Sequence, residues 1–307
     1  MCLATVTKTV APRHRLFLFL SLLICLAFWA PLRALVLLCL NDDRYTHILL
    51  IPVISAGLLY IAREQRFPHS SYSPKTGTAL ILLGLAIFMG CRTWSLPNGD
   101  LSIAIGALVV AWTGLYILCY GIRSFQRASF PFLLILLMIP LPSAVLDRFV
   151  TLLQTGSAEL SYRLFQLVGV PVFRHGTVMS VPGVDIEVAP QCSGIRSTMA
   201  LLIVSLVMSR LLLRSAWGKL SVLLCVIPIG IFRNAVRIVG ITLLGIYVNK
   251  DFLVGNLHHR GGLLFALIGF AVLLPIVWLL RIFERRGEFA SIDVRGVAPA
   301  SGRKVEI

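Results

Sequence analysis

The 307 residues are 58% hydrophobic and only 13% charged, too little polar surface to clothe an ordinary water-soluble fold. With a mean hydropathy of +0.90, lipid is the expected solvent for most of the chain. The formal net charge of +15 does not indicate a nucleic-acid binder, because the basic residues form no single patch or stripe and fall in short clusters between apolar runs.

Taken in chain order, the apolar runs predict about eight transmembrane helices, over roughly 15–37, 46–63, 76–92, 101–121, 128–146, 193–213, 218–247 and 262–281. The first run is read as a span, since no small-residue processing site follows it. Placing the N-terminus in the cytoplasm leaves seventeen basic residues inside and eight outside, with Arg196, Arg233 and Arg237 within spans. Both termini are then cytoplasmic. The long outer segment from Asp147 to Gln191 opens with an amphipathic stretch around Leu152–Leu167 that suits the membrane interface. Beyond Gly169 the pattern alternates as short strands do, split at Pro182-Gly183, so a small extracytoplasmic β-like element is expected just before Cys192. The expected class is an all-α polytopic membrane protein, with one transmembrane domain over 1–286 and a disordered cytoplasmic tail over 287–307. There is no internal repeat and no second soluble domain.

Chemistry is signalled by the polar residues that interrupt the apolar pattern. Of seven cysteines most lie in or beside spans, where an inert thiol is the usual state, and the odd count without regular spacing opposes a disulfide framework. Cys192 alone has a polar setting, at the entry to the sixth expected span, and is either a loop thiol without a role or a nucleophile whose thiolate a helix N-terminus and Arg196 at i+4 favour. Arg233 and Arg237 lie one turn apart in the seventh expected span, and intramembrane cations either face a site or snorkel and pair for assembly. Eighteen residues from Lys219 carry Arg237 about 27 Å across a core about 30 Å thick, hence toward the outer interface. His258 and His259 fall in the last outer loop, either as proton-transfer groups or as a surface pair with weak metal affinity. No Cys/His cluster has zinc-ligand spacing, and neither metal nor cofactor is expected. A thiol, an imidazole and a guanidinium on one membrane face suit acyl transfer.

These residues resemble the exosortases and the related archaeosortases, membrane-embedded cysteine transpeptidases. The resemblance runs through Asp43-Arg44-Tyr45-Thr46-His47-Ile48 with Ile51-Pro52, then Phe130-Pro131, Ile139-Pro140-Leu141-Pro142 and Gly169-Val170-Pro171-Val172. It continues through Gly176, Val188 to Ser197, and Asn234 to Ile238. Ile48, Thr46 and Leu263 depart from the family's glycine, serine and tryptophan. The resemblance implies Cys192 as nucleophile, Arg237 rather than Arg233 as stabiliser of oxyanion or thiolate, and His258 as acid/base with His259 the adjacent alternative. It also implies supporting or substrate-binding roles for Arg196, Asn234, Tyr45 and His47. Its expected partners are membrane lipid and secreted proteins ending in a Pro-Glu-Pro-like motif, a transmembrane helix and a basic cluster, with no nucleic acid. Such a protein would sit in the bacterial inner membrane, open its site outward, and pass the cleaved protein from a Cys192 thioester to an outer acceptor or water. Two other readings stand beside this one: a small transporter with an anion site at Arg233 and Arg237, and a scaffold for polysaccharide export.

Overall fold

The computed structural model describes residues 2–61, 72–93, 100–249, 251 and 262–296. They form a helical polytopic membrane protein that carries one small sheet. Two compact units, Met1–Phe149 and Val150–Ile307, divide the chain.

In the first unit α1 (Cys2–Ala27) and α2 (Trp29–Asn41) replace the single first span expected at 15–37, and the two meet at a 76° bend. Pro31 accounts for the break, because in a continuous helix its ring would collide with the Ala27 carbonyl four residues earlier. A 3-10 turn (Asp43–Leu49), begun by the Asp42 side chain accepting the Arg44 amide, leads into α3 (Leu50–Ile61). α4 (Pro74–Thr93) and α5 (Asp100–Tyr120) form a close antiparallel pair. A side chain at Gly84 would meet the Ala107 carbonyl at 2.6 Å, so the small residue is what lets the two backbones approach.

The fifth span, expected as one helix over 128–146, is not one. After α6 (Ile122–Arg127), α7 (Ser129–Leu136) stops short, and Pro140 and Pro142, which lack amides, prevent the next turns from forming. The segment still runs the length of α5. Ala128, Phe132 and Ile135 pack with Tyr116, Cys119 and Tyr120 at one end of that helix, whereas Ser102 at its other end donates to the Pro140 carbonyl at 2.7 Å. Six stretches are long and apolar enough to cross a membrane as helices among the described residues, and the bent α1–α2 pair makes a seventh. Seven of the eight expected spans thus have a helical counterpart among the described residues, and the one over 128–146 is not a single helix.

The second unit takes up α8 (Ser143–Leu167) from Val150 onward, then β1 (Phe173–His175), β2 (Val178–Val181) and β3 (Val184–Glu187). The three strands make an antiparallel meander with β2 in the middle, and Pro182-Gly183, with Gly183 at φ 85°, turns β2 into β3. One face of the sheet is apolar. Met179 and Val181 pack with Ala158 and Phe165 of α8 and with Val239, all buried, which seats the sheet between two helices. After a 3-10 turn (Pro190–Cys192) come α9 (Ile195–Leu212), α10 (Ala216–Tyr247) and α11 (Gly262–Gly296). Leu201, Val222, Val226, Leu273 and Val277 form their shared core. At about 1.5 Å per residue the 32 residues of α10 exceed a hydrocarbon core about 30 Å thick, so one end stands at or beyond the interface.

Candidate active site

The turn that carries Cys192 is short and fully tied. Pro190 opens it, the Cys192 amide donates to the Ala189 carbonyl at 2.8 Å, and the Ser193 amide donates to the Pro190 carbonyl at 3.2 Å. Gly194 follows at φ 77°, a left-handed conformation that suits glycine, and α9 begins at the next residue. Cys192 is therefore two residues upstream of the helix cap and half-buried.

Two adjacent side chains of α10 hold this turn from behind. Asn234, 1% exposed, donates to the Cys192 carbonyl at 2.8 Å and to the Ser157 hydroxyl of α8 at 3.1 Å. Arg233, 3% exposed, donates to the Gly194 carbonyl at 3.1 Å. Close helix approach makes this reach possible. A side chain at Gly230 would meet the Thr198 hydroxyl at 2.7 Å, and one at Gly156 would meet Ile231 at 2.7 Å, so α9 and α8 both lie tight against α10 one turn from the pair. The β3 end is tied down as well, by Gln154 of α8 donating to the Val188 carbonyl at 2.6 Å.

In front of the turn lies a cavity of about 210 Å³. Cys192, Asn234 and Arg237 line it together with Ile238, Ile241 and Thr242 of α10 and with β3. Thus Cys192, Asn234 and Arg237, distant in sequence, share one cavity, while Arg233 is turned away to the backbone of the turn. Arg237 is half-buried, and Arg196 is exposed in the first turn of α9. Tyr45 and His47 belong to the other unit. There the Tyr45 hydroxyl donates to the Leu141 carbonyl at 3.2 Å, and His47 Nδ1 lies 3.1 Å from the Arg44 carbonyl. His258 and His259 lie outside the described residues. No cluster of His, Cys, Asp or Glu able to hold a metal occurs among the described residues.

Beside the site, Glu159 of α8 accepts from Arg163 at 2.8 Å and also from Arg174 of β1. The two guanidiniums, Arg163 first, hold its carboxyl below the usual carboxylate range. Ser157, Gln154 and the backbone role of Arg233 escape sequence reasoning. Ser157 and Gln154 are ordinary polar positions on an amphipathic helix, and nothing in a linear pattern tells which of two arginines points at a carbonyl.

The family model described as Transmembrane exosortase matches residues 39–275, a span that contains every described residue of the cavity. Comparison with curated proteins and with solved structures gives no match.

Proposed function

The chain belongs to the transmembrane exosortase family, and from that premise we propose that it is a membrane-embedded cysteine transpeptidase that cleaves C-terminal sorting signals of secreted proteins at the outer face of the membrane. The observation that carries this reading is the cavity that Cys192 and Arg237 both line, where Asn234 fixes the Cys192 carbonyl. In the proposed reaction the Cys192 thiolate adds to the scissile carbonyl, and the Arg237 guanidinium balances the charge that develops on its oxygen. His258, with His259 as the alternative, passes a proton to the departing amine, leaving an acyl group on sulfur. An outer acceptor or water then attacks the thioester, loses a proton to the histidine, and returns Cys192 as thiol or thiolate. The substrate is a secreted protein ending in a Pro-Glu-Pro-like motif, an apolar helix and a basic cluster, and the enzyme sits in the bacterial inner membrane with its site outward. The charge asymmetry of the loops supports that orientation.

Arg233 weakens the anion-transport alternative. That reading needs two open cations, and here one of them is buried against a backbone carbonyl. The test is co-expression of the full chain with a tagged reporter carrying such a tail. Wild type shortens the reporter and Cys192→Ala, inserted in the membrane at equal level, does not. Equal shortening by the Cys192→Ala chain would remove the nucleophile from the proposal.

A further inference from the structure

The sheet stops at β3. The order β1-β2-β3 pairs β3 on one side only, and among the described residues no strand lies along its other edge. The two-residue turn closes on the Val181–Val184 pair, and the Val188 amide donates to the Thr177 carbonyl at 3.0 Å. Hydrogen-bonded pairs alternate along an antiparallel ladder, so Val184, Ile186 and Val188 turn their backbone groups toward β2. Asp185 and Glu187 turn theirs to the free edge. Both residues also line the cavity that holds Cys192 and Arg237.

We infer that this edge is the substrate-docking element: an extended segment of the protein being cleaved adds to the sheet as a fourth strand, bonding to the main chain of Asp185 and Glu187. The inference rests on the reading of Cys192 as a peptide-cleaving nucleophile. An unpaired edge is a ready template for another strand, and it recognises backbone rather than a particular side chain. The cavity is smaller than the roughly 300–1,000 Å³ of a typical small-molecule site, so it admits a short length of chain while the open edge carries the rest. From Glu187 to Cys192 is five residues, at most about 17 Å of extended chain, and both line one cavity, so a strand paired to β3 ends within a few residues' length of the sulfur.

The edge also dictates sequence. Residues directly opposite Asp185 and Glu187 share a face with two exposed carboxylates, where an acidic residue is repelled. They must also donate an amide, which proline lacks. A Pro-Glu-Pro-like motif therefore sits beyond the paired stretch, toward the part of the cavity that Arg237 lines.

The test is a proline scan through the residues flanking the motif of the tagged reporter, co-expressed with the full chain. Strand addition predicts slowing at every second position, by roughly fivefold or more for each lost hydrogen bond, and near-normal processing between. Asp185→Pro and Glu187→Pro, which spare the bonds to β2, should slow processing while a small thiol reagent labels Cys192 at the wild-type rate. Cys192-dependent processing that falls uniformly or not at all along the scan would overturn strand addition and leave the nucleophile standing. Failure of the unaltered reporter to be processed in a Cys192-dependent way would remove both.

Discussion

Asn234 is the side chain that holds the turn carrying Cys192, and Asn234→Ala measures how much the placement of that thiol depends on it. The substitution deletes two buried hydrogen bonds, to the Cys192 carbonyl and to the Ser157 hydroxyl. At about 1 kcal/mol each, and with two polar groups left unpartnered where Asn234 is 1% exposed, the loss is about 2–4 kcal/mol of local stability. A turn released by that amount shifts the sulfur, and a misplacement of about 1 Å costs about 100-fold in rate. Asn234→Asp is isosteric yet worse, since an ionised carboxylate would face a carbonyl oxygen 2.8 Å away with nothing to donate. Ser157→Ala breaks one bond only and spares the one to Cys192, so it should cost least. Two readouts apply: alkylation of Cys192 in membrane vesicles, which needs no substrate, and shortening of the tagged reporter. Should both rates stay within about twofold of wild type in the Asn234 variants, or should Ser157→Ala prove the most damaging of the three, the assigned clamp is wrong.

Two further outcomes follow from the same geometry. Gly194→Ala places a Cβ 2.9 Å from Arg233 Nη2 and 3.2 Å from Asn234 Oδ1 on a backbone at φ 77°, so about 1–2 kcal/mol of backbone strain adds to a steric clash. Cys192 alkylation should slow while α9 remains helical by circular dichroism. The Glu159 carboxyl, depressed by Arg163 and Arg174, ties β1 to α8. That tie is complete above the ordinary carboxylate range and is lost as pH falls through the lowered folded value. Hydrogen exchange in β1 should therefore rise only in acid, whereas Glu159→Gln should raise it at neutral pH.

Much of the helical plan was legible because burial in lipid demands long uncharged runs, and the runs at Leu101–Tyr120 and Ala216–Tyr247 could hardly mean anything else. The failures fall at proline. Hydropathy counts Pro31 and Pro140 as harmless members of apolar stretches, whereas the backbone reads them as a lost amide and a ring in the way, and both expected helices break there. Cys192, Arg237 and Asn234 were legible as candidates because polar groups are costly in such surroundings. Their meeting depends on close packing at Gly156 and Gly230, which is a three-dimensional fact with no linear signature.

The two arginines of α10 show why spacing alone misleads. Four residues apart, they lie on much the same helix face, and two cations so placed repel. The structure separates them by burial, Arg233 being buried and Arg237 half-buried. Arg233 donates to a carbonyl at the left-handed residue before α9, a bond a neutral amide could also make, and its burial is costly unless the surrounding dipoles compensate. The Gly194 carbonyl and the Thr198 hydroxyl both turn toward it, the latter at 3.5 Å. With Arg233 committed to backbone and Asn234 to the neighbouring carbonyl, Arg237 is the α10 cation that lines the cavity beside Cys192. A charge there acts on what enters the cavity, whereas a charge at Arg233 acts on the shape of the turn. Exchange of Arg for Lys should therefore be tolerated unequally: a single donor to one carbonyl is replaceable at Arg233, whereas the role proposed for Arg237, a planar fork matched to a developing oxyanion, is one that Lys does not reproduce.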